Sequence, residues 1–431
     1  MCIGVSYPIL NLNGSDVIPD PFTPDSEDAL KDVLAEALTS GRTLEVSGAG
    51  TKRGLGRPVA ADAGLTLAGL TGITYYAPGE LVMEAQAGTP MAEITAALDE
   101  QNQRLAFEPT DLGPLYGGAP GQGTIGGVFA CNLAGPRRPF AGAARDHLLG
   151  IRAVSGRAET FTAGGRVVKN VTGYDMGKLL AGSLGTLAVF SQVTFKVLPK
   201  PEAERTVLLF SSAPDDGLNA LNRAAGEVWD ISAGAHIGKP AAARSAVSYV
   251  VGAETSVTAV RLEGARGAVD ERTAMVRAAF DEIGPTEELH RHNSHRFWHE
   301  LRDGALLPAM DVDASQLWRL TLPPADAAMA LDRLAAITNG ELLFDWLGGL
   351  VWLSIPGSEI GHAPEQMAAA VRAVAAQGGG HAVLMRATDE MRRQISVFGA
   401  AGVDQMALTR RIKNNFDPGG ILNPGRMYES C

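Results

Sequence analysis

Three cysteines are all that this chain of 431 residues contains, Cys2, Cys131 and Cys431. None stands in a CxxC pair, so neither a disulfide framework nor an iron–sulfur centre is encoded in it, and a reducing compartment fits. Positive charge is also in short supply: 37 Lys and Arg against 48 Asp and Glu leave a net charge of −11. A field of that sign opposes polyanions and argues against nucleic acid or anionic lipid as a partner. Long apolar runs are missing as well. The longest, 342–355, is broken by Asp345 and falls short of the roughly 20 residues that a bilayer-spanning helix needs. No Lys or Arg precedes Lys31, so a secretory leader is not expected. These absences predict a cytoplasmic protein that does not itself insert into a membrane.

What the chain has in excess is glycine, 51 residues, or roughly 12% against a usual 7%. The excess is local: 17 glycines fall in 113–185, against 12 in the 112 residues before and 22 in the 246 after. Length predicts two or three domains with sizeable cores. Apolar periodicity predicts a helix over 26–38, stopped by Gly41, then strands at 43–47, 65–67, 73–76 and 81–87, and a helix capped by Thr89 and begun by Pro90. Further strands are expected at 148–154 and 186–198. The two prolines of Pro199-Lys-Pro201 deny a helix and interrupt strand pairing, which places a boundary there. Beyond it the pattern reads loosely as strand, helix, strand, strand, helix, strand, with helices near 264–283, 325–337 and 364–376 and no periodic repeat. The expected class is α+β, as 1–200, 201–403 and a closing segment 404–431.

Three glycine motifs carry the chemistry. SGAGTKRG, 47–54, contains GxGxxxG after a strand, but Gly54, Gly56 and Pro58 deny the helix that a Rossmann turn requires. What remains is either an ordinary turn or a nest of backbone N–H groups, from Gly48 to about Lys52, able to hold a phosphate. GGAPGQGTIGGVFACNLAGPRR, 117–138, lets main chain approach a flat ligand closely, with Thr124 and Asn132 as sparse directional hydrogen-bonding groups. KNVTGYDMGKLLAGSLGTLAVF, 169–190, reads as a glycine-framed helix followed by a GTL turn entering a strand.

In this order the three motifs resemble the FAD-binding domain of the family that includes vanillyl-alcohol oxidase, p-cresol methylhydroxylase and the D-2-hydroxyacid dehydrogenases. With RDHLLGIRAV, QLWRLTLPP, LLFDWLGGLVWL, GGGHAVLMRA and FDPGGILNPGRMY, nearly the whole chain is similar to the smaller flavoprotein subunits of bacterial glycolate oxidases. The resemblance implies an FAD domain, a ferredoxin-like α/β cap and a tail that returns to the cofactor. Carried over by position, Ser47, Gly48, Ala49, Gly50 and Thr51, with Lys52 at the end of the nest, would bind pyrophosphate. Thr124, Ile125, Gly126, Gly127 and Asn132 would line the flavin, with Gly142 and Arg145 near the cofactor. Gly185, Thr186 and Val189 would reach ribose or adenine. Asn423 and Arg426 read either as flavin-edge groups or as parts of a plain turn. No histidine occupies the first loop, so FAD is expected to be noncovalent; Cys131 reads as a small buried thiol rather than a thioether.

The implied partners are a paralogous D flavoprotein subunit and an iron–sulfur F subunit, with glycolate or a related 2-hydroxy acid as substrate and any membrane association coming through those subunits. The HGDGN-type metal segment of the catalytic relatives is absent, and no metal is expected. His381 and Arg302 are the candidates for catalytic base and carboxylate cation. His292, His295 and His299 share a helix face at a spacing that can chelate zinc, but no carboxylate or thiol motif accompanies them. That segment is expected to be an exposed basic helix, with Arg291, Arg296 and Arg319 on the surface. Two readings result: an FAD-binding, electron-transferring subunit, or a self-sufficient hydroxyacid dehydrogenase using His381 and arginines without metal.

Overall fold

The computed structural model describes residues 21–167, 173–211, 213–308, 315–360 and 363–429. The first helix runs from Glu27 to Ser40. Ser26 caps it by accepting from the Ala29 N–H at 3.2 Å, Leu30 and Leu34 are fully buried, and Gly41 at φ 70° ends it. A small parallel pair follows, β1 (Leu44–Ser47) with β2 (Ala63–Thr66). An antiparallel sheet is built from β3 (Ile73–Ala77), β4 (Val82–Gln86), β6 (Leu148–Ser155), β7 (Thr160–Gly164) and β8 (Ala188–Lys196), in the order β3-β4-β8-β6-β7. The short β5 (Gln103–Arg104) pairs with β9 (Leu198–Pro199).

Three local expectations change. Thr89 does not cap the helix Met91–Glu100; its hydroxyl donates to the Gln86 carbonyl at 2.7 Å and accepts from the Gly72 N–H at 2.9 Å, tying two turns together. Pro199 does not stop pairing, because a proline still offers its carbonyl and sits here in a two-residue edge ladder. The helix expected in the third glycine motif is only Met176–Leu180, and 169–172 of that motif lie outside the described residues. Strand β7 is an addition to the expected strands; Phe161 and Ala163 alternate along it with exposed Thr160, Thr162 and Gly164.

The second sheet has eight antiparallel strands: β10 (Ala203–Ser211), β11 (Ile231–Ile237), β12 (Ser256–Gly264), β13 (Thr286–His290), β14 (Gln316–Thr321), β15 (Glu341–Asp345), β16 (Leu350–Ile355) and β17 (His381–Arg386). Their order is β13-β10-β12-β11-β15-β16-β14-β17. The order resolves into two β-α-β-β-α-β halves, mirror-arranged and joined edge to edge between β11 and β15, where only His236↔Phe344 and Ile237↔Leu343 are in register. The missing helix of the first half, Pro214–Gly226, is begun by Pro214 with Asp215 and Asp216 in its first turn. Sequence alone shows one loose unit because the two halves share topology and not residues.

Along β14 and β17 the faces alternate. Leu317, Val383 and Met385 pack into the core shared with the first domain, whereas Trp318, Leu320, Ala382 and Leu384 pack under the outer helices. One face of the cap sheet therefore looks at the glycine-rich domain.

The chain's end returns to the first sheet. Leu422 bridges Leu44 in parallel fashion, and the Leu44 N–H donates to the Ile421 carbonyl at 2.7 Å. Beneath this bridge Lys413, from the helix Val403–Phe416, donates to the Thr186 carbonyl at 2.7 Å, to the Leu422 carbonyl at 2.9 Å and to Asp417 Oδ2 at 2.7 Å. Asp417 in turn accepts from the Ile421 and Leu422 N–H groups at 3.0 and 2.9 Å. Both residues are buried and every ammonium proton has an acceptor. Removing one member leaves an unpaired buried charge, a loss of about 3–5 kcal/mol. Lys413→Met is therefore expected to lower folding stability by that order in denaturant titration, and Asp417→Asn by a similar amount. The double variant should lose less than the sum of the singles.

Candidate cofactor and substrate site

Two openings meet at Lys52. The first is a narrow cleft between the loop Ser47–Arg53 and the start of the helix Ile125–Ala130, closed at its ends by Leu184–Gly185, Val189 and Arg426. The loop contains no helix, in line with rejection of a Rossmann turn: it passes through Gly50 at φ 77° and continues as turns to Arg57. Gly48 is required by close approach, since a Cβ there would lie 2.2 Å from Thr124 Oγ1. Thr124 is fixed in turn as the cap of its helix, accepting from the Gly127 N–H.

Of the residues proposed for the cofactor, Ser47, Gly48, Ala49, Gly50, Thr51, Lys52, Thr124, Gly126, Gly127, Gly185, Val189 and Arg426 line this one cleft. The others stand behind it. Ile125 is core, with no exposed surface. Asn132, at φ 49°, accepts from the Arg145 N–H at 2.9 Å, and the Ala143 N–H beside Gly142 donates to Asp146 at 2.8 Å; these groups brace the turn after the helix. Thr186 spends its hydroxyl on the Ser183 carbonyl. Asn423 accepts from the Val46 N–H and donates to the Leu184 carbonyl, both at 2.8 Å, joining the strand that feeds the loop to the turn across the cleft.

The cleft holds positive charge with few partners. Among the described residues Lys52 donates only to the Thr51 hydroxyl, at 3.1 Å, and burial pulls its ammonium below the usual lysine range. Arg426 donates to the Lys52 carbonyl at 2.8 Å, yet its Nε is buried without a partner. Cys131 lines the cleft rather than sitting wholly in the core, and burial raises its thiol, which keeps it protonated and a poor nucleophile. Residues with no local sequence signal complete the loop's support. Arg392, from the cap, donates to the carbonyls of Gly54 and Gly56 at 2.9 and 2.7 Å, and Arg53 pairs with Glu45 at 3.1 Å.

The second opening is a cavity of about 1040 Å³ between the two domains. It is lined by Lys52, one face of the helix Met91–Glu100, the segment Arg104–Asp111, Arg137 and the helix Arg291–Arg302. That last helix is not simply exposed. Phe297, Trp298 and Leu301 bury one side, while His292, His295 and His299 turn to the cavity, the rings of His295 and His299 stacking at 4.1 Å. Burial drops His299 to about 3, helped by Arg302 and by its neighbour His295. Among the described residues no group of three His, Cys, Asp or Glu could hold a metal. Arg302 also lines the cavity, bound side-on to Asp303 at 2.8 and 2.6 Å.

An ion network spans the domains beside this cavity. Glu108 accepts both ends of the Arg261 guanidinium at 3.0 and 2.8 Å, and Glu263 receives Arg104 at 2.8 Å and also Arg137.

His381 is elsewhere, at the start of β17, on the sheet face that looks at the first domain. Burial lowers its imidazole, with Arg319 and Arg138 adding to the effect. The two proposed catalytic residues are thus not brought together. Arg319 is not a surface arginine either: it is half-buried against Trp346.

A family profile described as "FAD binding domain" matches residues 22–164, and one described as "FAD linked oxidases, C-terminal domain" matches 379–427. The chain is 33% identical to glycolate oxidase subunit GlcE of Escherichia coli over 94% of its own length and 98% of the relative's. It belongs to the GlcE family of FAD-linked oxidoreductases. A shorter likeness, 38% over 20% of this chain and 18% of the relative, links it to glycolate oxidase subunit GlcD of Bacillus subtilis. In fold this GlcE-family chain is similar to p-cresol methylhydroxylase, at TM-score 0.67 and 14% identity, covering 95% of this chain and 88% of that one. The family's cofactor is FAD, and the fold is the α+β architecture with its FAD domain that the motifs implied. Among the described residues no helix is long and apolar enough to cross a membrane.

Asp345, next to Trp346, supplies a pH test of this interface. Burial raises its carboxyl from an ordinary 3.8 to about 7, against the lowering effect of the Trp346 N–H that it accepts. Between those pH values the folded chain holds a proton that the unfolded chain has released, so this residue makes stability fall as pH rises. Asp345→Asn keeps the oxygen acceptor and removes the charge. The expected outcome is a larger gain in melting temperature at pH 8 than at pH 5; equal gains at both would contradict the burial argument.

Proposed function

We propose that this chain binds FAD noncovalently in the cleft at Lys52. In this reading it serves as the FAD-binding subunit of a complex that oxidises glycolate, or a related 2-hydroxy acid, to the 2-oxo acid. The observation that carries the reading is the convergence of the loop Ser47–Arg53, the Thr124-capped helix and Arg426 on one cleft with unspent donors. A row of backbone N–H groups beside a half-buried ammonium and a buried guanidinium, the latter with an unpartnered Nε, fits an anionic diphosphate; glycine at 48 and 127 leaves that surface without side chains. Ser47, Gly48, Ala49, Gly50, Thr51 and Lys52 would hold the pyrophosphate, and Gly185 and Val189 the nucleoside end. Thr124, Gly126, Gly127 and Arg426 would flank the ring system, while Ile125, Asn132, Gly142, Arg145, Thr186 and Asn423 shape the walls. The division at 200 and 403 separates the FAD domain, the cap and the returning segment.

FAD bound there supplies a two-electron acceptor for hydride from a substrate carbon. For the chain's own residues, a lowered pKa leaves the His381 imidazole neutral, with one ring nitrogen free to take a hydroxyl proton. Arg302, side-on to Asp303, contributes charge to the cavity wall. The partners in this reading are a paralogous D flavoprotein subunit and an iron–sulfur F subunit, which would receive the electrons. Localisation is cytoplasmic, with membrane association only through those subunits.

A second reading, a self-sufficient 2-hydroxyacid dehydrogenase, is favoured by the placement of His381 beside two arginines on the face that looks at the FAD domain. The two are separated by adding glycolate anaerobically to the isolated, flavin-loaded chain. Flavin absorbance that persists until the partner subunits are supplied supports the subunit; rapid bleaching without them would establish the self-sufficient enzyme. For cofactor placement, Gly127→Val puts a branched side chain into the cleft, about 3.3 Å from Thr124 Oγ1 at its Cβ and near the Lys52 ammonium. The variant should purify nearly colourless with its far-UV spectrum unchanged; full flavin content would refute the assignment of the cleft.

A further inference from the structure

The large cavity beside Lys52 has two ends, and hydrogen bonds fix which residues stand at each. At one end the Met91 N–H donates to the Gly123 carbonyl at 2.8 Å, and Gly123 lies against the Lys52 ammonium. The Gly121 N–H donates to Asp111 Oδ2 at 2.6 Å and the Asp111 N–H to Asp303 Oδ1 at 2.9 Å, which brings Asp303 and Arg302 to the same end. At the other end Lys200 pairs with Asp99 at 2.6 Å, and Ser294 donates at 2.7 Å to Oε1 of Glu204, which follows Lys200 closely in the chain. The helices Met91–Glu100 and Arg291–Arg302 therefore run in opposite directions along two walls of one trough. Met91 to Asp99 and Ser294 to Arg302 cover the same helical distance, about 12 Å each.

Glu204, on β10, is fixed by a chain of buried groups. The Trp298 Nε1–H donates to Thr206 Oγ1 at 2.8 Å, the Thr206 and Ser294 hydroxyls are 2.7 Å apart, and Ser294 ends the chain on Glu204. An indole only donates and a carboxylate only accepts, so every proton in the chain points toward Glu204. Its second oxygen, Oε2, has no partner among the described residues, and the residue lines the cavity. Two cations at this end are already paired, Arg104 with Glu263 and Lys200 with Asp99. Between the ends, exposed Ala92 and Ala96 keep one wall free of large side chains, and His295 and His299 edge the other. Burial lowers both imidazoles, so each neutral ring offers one donor and one acceptor.

We propose that this trough binds a 2-hydroxy acid with a hydroxylated chain of about six carbons, its carboxylate at the Lys52–Arg302 end and its far hydroxyl donating to Glu204 Oε2. Six carbons in extended form span roughly 6 Å, and a hydrogen bond of about 3 Å at each end completes the length. Hydroxyls along such a chain both donate and accept, as the two imidazoles between the ends require. Glycolate fits the Lys52 end alone and leaves the far end to water. The inference rests on the hydroxyacid reading for the head group and extends it to the chain, with the hydroxyl-bearing carbon at the end that adjoins the cleft assigned to FAD.

The test is calorimetric titration of the full chain, as purified, with gluconate, 2-hydroxyhexanoate and glycolate. Gluconate is expected to bind at least about tenfold more tightly than either of the others. Because 2-hydroxyhexanoate matches gluconate in length and lacks its further hydroxyls, equal binding of the two overturns the proposal, as does equal binding of glycolate or no binding of gluconate. Glu204→Leu removes the acceptor and should erase the preference; a preference that survives it also overturns the trough. Should that variant fail to fold, Ala96→Trp, on an exposed helix face away from the buried hydrogen-bond chain, decides the matter. Gluconate affinity should then fall at least about tenfold with the far-UV spectrum unchanged, and an undiminished affinity overturns the proposal. Binding needs no turnover, so the two readings fail separately. Glycolate oxidation by the assembled complex without a gluconate preference overturns the trough alone, whereas a gluconate preference in a complex that oxidises no 2-hydroxy acid supports the trough and overturns the hydroxyacid reading.

Discussion

Much of this structure depends on a buried lysine near the end of the chain. Lys413 and Asp417 saturate one another and four backbone groups, among them the Thr186 carbonyl far back in sequence. Through Leu422 and Asn423 the same segment fixes β1, and β1 delivers the loop Ser47–Arg53. A loop rich in glycine has little rigidity of its own. Its shape is set from outside, by Asn423 at its entrance, Arg426 on the Lys52 carbonyl and Arg392 on the carbonyls of Gly54 and Gly56. Three arms of the last forty residues thus hold a turn that lies within the first sixty.

That division explains what the sequence could disclose. The glycine blocks were legible because the requirement they meet is local: Gly48 must admit Thr124, and Gly185, at φ 69°, must pass the Asn423 amide. Their order along the chain also carried the family. The second sheet was half legible, since alternation marks strands but does not say which edges meet. Nothing near His236 or Phe344 announces that two units join there. Arg392 and Arg319 looked like any other arginine, because their meaning comes from partners hundreds of residues or a whole domain away. The histidines on the helix Arg291–Arg302 are exposed, as their polarity implies; what the pattern does not show is that they border a cavity shared with the other domain.

Charge at the domain junction is sorted into two kinds. On one side of the segment 135–138, Arg137, Arg104 and Arg261 are matched by Glu108 and Glu263, and the pairs cross from one domain to the other. Such pairs fix relative orientation more than they add stability. On the other side, Arg138 and Arg319 both lie against the Trp346 indole, with Asp146 and Asp345 as counter-charges and no direct ion pair for either among the described residues. Adjacent residues in sequence, Arg137 and Arg138, therefore meet the second domain differently, one through a carboxylate and one through an indole.

Strand β14 is paired along its length by β16 on one side and β17 on the other. Because its faces alternate, a slip of one residue would exchange Arg319 for Trp318, putting an indole at the junction and a guanidinium under the outer helices. The double ladder works as a ruler whose smallest division is one side chain. In evolutionary terms, this stretch can accept substitutions but not insertions or deletions, so divergence among homologous caps should accumulate in the turns that bound β14, leaving its length constant.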